Sequence, residues 1–503
     1  MSFSASSTLA QRGRKALPWL LYLYSLILFG MHFIRIFDNS FWGDEGYTIR
    51  LAQMGFVKMC LTTAGDVHPP LYYFFTQILY HILGNHGYTY HLSAVLPYGM
   101  ILILACTVIR KWFGLIPAAV VVTFSSVTSA ALRYNVEARM YSLAALCVLI
   151  AYLAFYQIYE TNRLTDWLIF GFSSLCAAYS HYYALISVAF FYLMLLPLWN
   201  KGAEYRKRIV QLYGGTVLGY IVWLYVLLRT FKRSVSDWWL LVIASFSDCF
   251  DFLWGNRWLS IIAACILVIG ACYLLGFLKF QNSHFSFQMH RPLSLSNEAR
   301  LFLAGLVSIL GTIGVGLTLS HLLRPFMIPR YMFPLTAVAY LMLGLALSKF
   351  RWRKPLTVVL LVIVLVTQAP EYSFLIRREK MLDNGTTECS DILSQASDAI
   401  LYTDDSSWSF SFAADEHFPS IPYVCTDDFL GNIDTSHNEI VLLLRHELTS
   451  EESSGLSSLG YSGQEYFEGP AFFEGYGGKF WGDPYYTETF HLYIFQRTPE
   501  AAK

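Results

Sequence analysis

Apolar runs of about 18 residues or more recur along the first three quarters of this chain. Each is long enough to cross roughly 30 Å of hydrocarbon as a helix, so the pattern predicts about eleven membrane-spanning helices. The predicted spans are residues 17–37, 89–110, 114–132, 138–159, 165–182, 184–200, 209–229, 256–279, 300–322, 331–348 and 355–375.

One apolar run is too short to be a span. The segment Leu71–Leu83 covers only about thirteen residues and is interrupted by tyrosines and a histidine. Pro69 and Pro70 precede it and suit the first turn of a helix, where backbone donors have no intrahelical partner. The pattern therefore predicts an interfacial or re-entrant helix on the outer membrane surface.

Basic residues cluster in alternate connections, and the positive-inside rule places such clusters in the cytoplasm. The clusters are Arg12, Arg14 and Lys15; Arg110 and Lys111; Lys201, Arg206, Lys207 and Arg208; and Lys349, Arg351, Arg353 and Lys354. This orientation predicts a multi-pass cell-membrane protein with a cytoplasmic N-terminus. The loop after the first span, and everything after about residue 376, would then lie outside the cell.

The composition changes after the last predicted span. Residues 385–503 are rich in Ser, Asp, Glu, Gly and Tyr, with β-prone runs at 399–402, 440–444 and 491–495. Helix-length segments separate these runs, which is typical of an α/β domain. The sequence thus predicts an all-α membrane domain over residues 1–376 and a small extracytoplasmic α/β domain over 377–503.

The overall composition agrees with a membrane protein and excludes some other classes. Hydrophobic residues make up 55% of the 503 residues and charged residues 14%, whereas soluble proteins carry about 25%. The net charge is zero, so no field attracts nucleic acid. The cysteines lack the spacing of a zinc site. Cys389 and Cys425 both lie in the predicted outer domain, where an oxidising compartment would allow them to pair.

Polar residues concentrate in the loops predicted to face outward. They are Asp44, Glu45, Asp66 and His68 after the first span, Arg133 and Arg139 between the third and fourth, His181 and Tyr182 between the fifth and sixth, and Arg324, Arg330 and Tyr331 between the ninth and tenth. Because these loops are short and lie on one side, we expect them to line one cavity. Carboxylates beside arginines predict an acid/base group facing a wall that binds anions.

Each of these residues also has a purely structural interpretation. Asp44 would cap a surface helix, and Arg133 would pair with Glu137 four residues later. Arg324 and Arg330 would be interfacial anchors whose long side chains reach the membrane surface. The pattern alone leaves both interpretations open.

Residues 42–48 (WGDEGYT) and 66–73 (DVHPPLYY) occur in order after one helix and resemble the first outer loop of the GT-C glycosyltransferases. The protein O-mannosyltransferase and lipid A aminoarabinose transferase branches are the most similar. Residues 133–141 and the Arg330-Tyr331 pair are similar to further features of the family, so the resemblance covers about residues 15–350. No connection is long enough for the luminal insert of eukaryotic mannosyltransferases, which favours a bacterial-type enzyme.

The resemblance implies an inverting transfer of a sugar from a polyprenyl-phosphate carrier to an acceptor hydroxyl at the outer membrane face. Asp44 matches the family's essential acid, the general base. The arginines that would offset charge on the leaving phosphate are Arg133, Arg139, Arg324 and Arg330. The remaining candidates for binding substrate or ordering the loops are Glu45, Asp66, His68, His181, Tyr182 and Tyr331.

No cofactor is required for such a transfer, although a divalent cation bound by Asp44, Asp66 and His68 remains an alternative. The acceptor is a glycan, a lipid or a protein, and membrane lipid is the other expected partner. Two further classes are weaker hypotheses. A transporter would place ionisable residues near mid-membrane, and a membrane scaffold would leave the clustered acids and arginines unexplained.

Overall fold

The computed structural model describes residues 3–37, 41–237, 242–281, 284–287, 295–396, 399–405, 408–476 and 485–498. Contacts between residues divide the chain into two units. The membrane unit comprises residues 1–35, 55–79 and 91–372. The C-terminal unit comprises residues 36–54, 80–90 and 373–503.

Helices account for most of the described chain. In chain order they are α1 (Phe3–Phe33), α2 (Gly43–Ala52), α3 (Phe56–Ala64), α4 (Leu71–Leu83), α5 (Gly87–Leu104), α6 (Arg110–Phe113), α7 (Leu115–Val127), α8 (Ser129–Tyr134), α9 (Tyr141–Glu160), α10 (Leu164–Ser180), α11 (Tyr182–Leu195), α12 (Ala203–Asp237), α13 (Phe246–Trp254), α14 (Arg257–Leu274), α15 (Asn297–Leu322), α16 (Thr336–Ser348), α17 (Arg353–Ser394), α18 (Trp408–His417), α19 (Phe429–Asn432) and α20 (Ser450–Ser458). The strands are β1 (Leu278–Gln281), β2 (His284–Phe287), β3 (Ile400–Thr403), β4 (Tyr423–Cys425), β5 (Glu439–Leu444), β6 (Tyr461–Tyr476) and β7 (Tyr485–Arg497).

The predicted class, a polytopic helical membrane domain with a small α/β domain, is confirmed. Within the described ranges, nine helical segments are long and apolar enough to cross a membrane. The predicted spans at 114–132 and 165–182 correspond to shorter helices, α7 with 13 residues and α10 with 17. Thr128 ends α7 because its backbone is extended, with φ −62° and ψ 150°, and its hydroxyl caps α8.

The short apolar helix predicted between the first two spans is α4, with the bounds read from the sequence. Pro70 accepts at its carbonyl the first helical hydrogen bond, donated by the Phe74 amide over 3.0 Å. A proline in this position costs nothing, because its missing N–H would have no helical acceptor. The interfacial position of α4 stays a prediction.

The centre of the membrane unit is α16, whose residues are buried on all sides. Such a helix is apolar all round because no face meets water. Gly344 allows close contact with α7: a Cβ there would lie 2.5 Å from the Cα of Pro117. The hydroxyl of Tyr340 donates to the carbonyl of Leu253 over 2.9 Å, and its oxygen lies 3.1 Å from the hydroxyl oxygen of Thr128. These contacts fix the turn from which α8 begins.

The C-terminal unit contains a five-stranded sheet in the order β4-β3-β5-β7-β6. The strands β3, β4 and β5 are parallel, and β7 runs antiparallel to both β5 and β6. Alternate residues of β5 enter two cores: Val441 and Leu443 pack on one face, Ile440 and Leu442 on the other. A strand buried on both faces reads as a continuous apolar run, which is the pattern that predicted it.

The suggested pairing of Cys389 with Cys425 is wrong, because both are free thiols. Cys389 lies on the last part of α17 and is fully buried in the core beside Leu401. Cys425 ends the edge strand β4 and is exposed. The first cysteine therefore serves as a small apolar side chain in the core.

Candidate functional site

His68 lies between an acidic and a basic side chain in the membrane unit. Its Nδ1 is 3.1 Å from an Asp66 carboxylate oxygen, and its Nε2 is 3.2 Å from Nη2 of Arg139. A guanidinium only donates hydrogen bonds, so Nε2 must accept and Nδ1 must carry the proton. The arrangement therefore sets the tautomer of His68, with Asp66 as acceptor on one side and Arg139 as donor on the other.

Arg139 is the buried cation of this group, with an exposed fraction of 1%. Its Nη1 donates to the Tyr73 hydroxyl over 3.4 Å. The residue lies in the tight turn between α8 and α9, where its amide donates to the carbonyl of Glu137 over 2.6 Å. A buried guanidinium beside a membrane helix is costly, and such charges mark functional sites.

Arg133, six residues earlier, has a different environment. Its Nε donates to the Glu137 carboxylate over 3.1 Å, and both side chains are buried. Its guanidinium also lies 5.5 Å from the ring centre of Tyr134. The structure thus realises the i, i+4 pair that was the structural alternative for Arg133, and Glu137 offsets its charge.

A second imidazole, that of His181, lies where α10 ends and α11 begins. Its backbone is extended, and its Nδ1 accepts a hydrogen bond from the Tyr183 amide over 3.1 Å. Its ring centre is 5.2 Å from that of Tyr331 and 5.8 Å from that of Tyr141. Because Nδ1 accepts from the backbone, the proton of the neutral ring is on Nε2.

The charge state of His181 follows from its surroundings. Burial lowers the pKa of His181 well below its ordinary value, and the positive charges of Arg139 and Arg330 lower it further. The ring therefore stays neutral at physiological pH and acts as a hydrogen-bond donor through Nε2. The same interactions place His68, Arg139, His181 and Arg330 within one electrostatic neighbourhood.

An apolar cavity of about 340 Å³ adjoins these groups. His68, His181, Tyr182 and Tyr331 contribute to its lining. Its walls are mainly aliphatic and aromatic side chains of α11, α12 and α15, together with the turn that follows α15. The space therefore combines polar groups with a hydrocarbon-like interior, as ligand pockets commonly do.

The two remaining arginine candidates differ in burial. Arg330 follows Pro329 in a short 3₁₀ helix, Pro329–Leu335, and is 7% exposed. Arg324 is half-buried in the connection after α15, and the lining described for the cavity includes Phe326 but not Arg324. Of the two, Arg330 is the one that acts on His181.

Asp44 and Glu45 belong to the C-terminal unit, in the first turn of α2. Glu45 is buried, and its carboxylate accepts a hydrogen bond from the Trp42 amide over 3.3 Å. Asp44 is half-buried at the second helical position. Both carboxylates suit the positive end of the helix dipole. Glu45 thus has a structural part in starting α2.

The divalent cation suggested for Asp44, Asp66 and His68 stays an alternative, and Asp66 and His68 have other contacts in this structure. The His68 nitrogen that faces away from Asp66 is in contact with a guanidinium, which would repel a cation. Within the described part of the chain, no three His, Cys, Asp or Glu side chains are grouped as metal ligands.

The site also contains three tyrosines that lie in the same sequence segments as the predicted site residues but were not among them. Tyr73, Tyr141 and Tyr183 surround the arginine and histidine side chains. Tyr73 is the last residue of the motif at residues 66–73, so its position in that motif could have identified it as a site residue. The apolar walls from α12 and α15 carried no such signal, because any membrane helix has such side chains.

Comparisons by sequence find no matching family model and no matching curated protein. Solved structures do match. ArnT from Cupriavidus metallidurans bound to undecaprenyl phosphate gives a TM-score of 0.51 at 13% identity, covering 96% of this chain and 98% of that chain. The apo state of the same ArnT gives a TM-score of 0.49 at 13% identity, again covering 96% of this chain and 98% of that chain. The Archaeoglobus fulgidus oligosaccharyltransferase in complex with Zn and sulfate gives 0.44 at 11% identity, covering 89% of this chain and 73% of that chain.

The match to bound ArnT extends over nearly the whole length of both chains, so it includes the membrane unit and the C-terminal unit alike. At 13% identity it establishes architecture. The chain therefore shares the GT-C fold of ArnT, the fold that the resemblance at residues 42–48 and 66–73 implies.

Proposed function

We propose that the protein is an inverting glycosyltransferase that moves a sugar from a polyprenyl-phosphate carrier to an acceptor hydroxyl at the outer face of the membrane. The observation that carries this proposal is the buried Arg139–His68 contact beside an apolar cavity. A lipid phosphate has an anionic head and a hydrocarbon tail, and this region offers complementary surfaces to both.

The anionic head would be bound by Arg139 and Arg330. Both are almost fully buried, and a guanidinium away from water binds phosphate oxygens through short, charge-assisted hydrogen bonds. The neutral His181 adds an N–H donor without adding charge. As the sugar–phosphate bond breaks, negative charge grows on the phosphate, so these donors would stabilise the transition state more than the ground state.

The isoprenoid part of the carrier would occupy the apolar cavity. Its volume of about 340 Å³ is within the range of about 300–1,000 Å³ for ligand pockets. The walls contributed by α11, α12 and α15 are apolar, so a polar nucleotide would be a poor occupant. ArnT, whose fold this chain shares, has been solved with undecaprenyl phosphate bound.

Asp44 is the proposed general base. In an inverting transfer the acceptor oxygen attacks the anomeric carbon from the side opposite the leaving phosphate, and a carboxylate removes its proton. Asp44 matches the family's essential acid, whereas Glu45 is buried and accepts a hydrogen bond from Trp42. The basic clusters in alternate connections support an outer-face reaction.

The test is a pair of isosteric variants in one helical turn, assayed by transfer from a polyprenyl-phosphate sugar in nanodiscs. Asp44→Asn keeps shape and removes the base, so kcat should fall by a factor of about 100 or more. Glu45→Gln keeps an oxygen that accepts from the Trp42 amide, so it should retain most activity.

Full activity of the Asp44→Asn variant would refute the proposed role of Asp44 as the general base. Lipid extracts of cells lacking the protein should also accumulate a sugar-phosphate polyprenol, detected by mass spectrometry. If that lipid stays at its wild-type level, the donor class is wrong.

A further inference from the structure

The helix α18 of the C-terminal unit packs through two different faces. Phe410, Ala413 and Ala414 enter the core formed with β3 and β5. Phe412 and Glu416 are four residues apart and therefore share another face of the helix. Phe412 is buried, with an exposed fraction of 3%, yet it is absent from that core.

Phe412 packs instead against two aromatic rings from early in the chain. Its ring centre is 5.2 Å from that of Phe41 and 5.7 Å from that of Tyr90, both nearly perpendicular to it. Phe41 and Tyr90 are also in edge contact, at 6.3 Å. Perpendicular rings at these distances are a favourable arrangement that adds to the burial of their area. Phe41 stands two residues before α2, so this cluster fixes where α2 begins.

Polar contacts hold the far end of α2 to the same neighbours. The Gln53 amide donates to the Asn85 side-chain oxygen over 3.1 Å, and the Tyr90 hydroxyl donates to the same oxygen over 2.5 Å. Glu416 of α18 accepts a hydrogen bond from the Gly87 backbone at the start of α5. Thus α2 is held at both ends, and α18 contacts the segments that hold it.

We propose that α18 positions the Asp44 carboxylate for catalysis, with Phe412 as the positioning residue. This inference rests on the proposed function, in which Asp44 is the general base. A general base works only within hydrogen-bond reach of the proton it removes. A displacement of about 1 Å at a catalytic group costs about 100-fold in rate. The C-terminal unit is then a part of the catalytic apparatus, because it determines the position of the general base.

The experiment compares Phe412→Ala with Phe410→Ala in the full chain in nanodiscs. Both remove the same ring from α18, one from the face towards Phe41 and one from the domain core. For Phe412→Ala we expect kcat to fall about 100-fold with the Kd for a polyprenyl phosphate unchanged. Amide hydrogen exchange should accelerate in the peptide covering residues 43–52. Phe412→Leu should restore most of kcat.

Phe410→Ala should lower the unfolding temperature while folded molecules keep wild-type kcat and wild-type exchange in residues 43–52. Wild-type kcat and exchange in Phe412→Ala would overturn the inference, as would an equal loss of kcat in both alanine variants. Amide hydrogen exchange distinguishes a failure of this inference from a failure of the proposed function. If the Asp44→Asn variant is active, Asp44 is not the general base. The difference in hydrogen exchange between the Phe412→Ala and Phe410→Ala variants would still show whether α18 holds α2 in place.

Discussion

Replacing Arg139 by methionine removes a buried guanidinium while keeping most of the side-chain volume. In the structure this guanidinium donates to His68 and to Tyr73, at 3.2 and 3.4 Å. If it also binds the donor phosphate, the variant loses a charge-assisted hydrogen bond worth about 1.5–3 kcal/mol. At about 1.4 kcal/mol per factor of ten, the Kd for a polyprenyl phosphate should rise about 10- to 150-fold.

The measurement is isothermal titration calorimetry with a polyprenyl phosphate in nanodiscs at fixed ionic strength, since charge interactions are screened by salt. The matched control is the double variant Arg133→Met/Glu137→Gln, which removes another buried guanidinium together with the charge of its partner. The control should leave the Kd within about twofold of wild type, because Arg133 pairs with Glu137 and the proposed phosphate ligands are Arg139 and Arg330.

Two results would refute the reasoning about Arg139. A folded Arg139→Met protein with wild-type affinity would show that Arg139 is not a phosphate ligand. An equal loss of affinity in the control would show that removing any buried charge in this region weakens binding indirectly, by destabilising the fold. The single variant Arg133→Met is unsuitable as a control, because it leaves the Glu137 carboxylate buried and unpaired at a cost of about 3–5 kcal/mol.

Two further predictions concern one residue in each unit. Arg330→Lys keeps the charge but loses the planar fork, so donor affinity should fall, and an unchanged Kd would exclude Arg330 as a phosphate ligand. Burial raises the pKa of Glu416 above its ordinary 4.5, although His86 and the Gly87 backbone oppose this. The folded state therefore holds this proton more tightly, and stability is lost as pH rises through the raised pKa. Glu416→Gln should raise the unfolding temperature at pH 8 but not at pH 4, and no gain at pH 8 would contradict this.

Much of the membrane unit could be predicted because local sequence determines it. The bounds of α4 follow from two prolines and a short apolar run. The contact among Asp66, His68 and Arg139 follows from short loops on one side of a bundle, where few arrangements are possible. The break at Thr128 was missed, since it interrupts an apolar run and shows only in the extended backbone.

The C-terminal unit was less predictable because its partners are distant in sequence. The strands β3, β5 and β7 were visible as continuous β-prone runs, whereas β4 has three residues and β6 is rich in Gly and Glu. Residues 36–54 and 80–90 belong to the C-terminal unit, where Phe41 and Tyr90 pack against Phe412. Single aromatic residues far apart in the chain leave no periodic signal.

The strand β7 lies between β5 and β6, although it follows both in the chain. A ribosome adds about 5–20 residues per second, so α2 must wait roughly 20 to 90 seconds after its own synthesis before residues 485–497 can complete the sheet. During that interval α2, which carries the proposed base Asp44, lacks the completed sheet of its unit. If α2 carries the catalytic base as proposed, a nascent chain would be inactive until then, and a premature stop before residue 485 would leave a membrane-inserted protein without transferase activity.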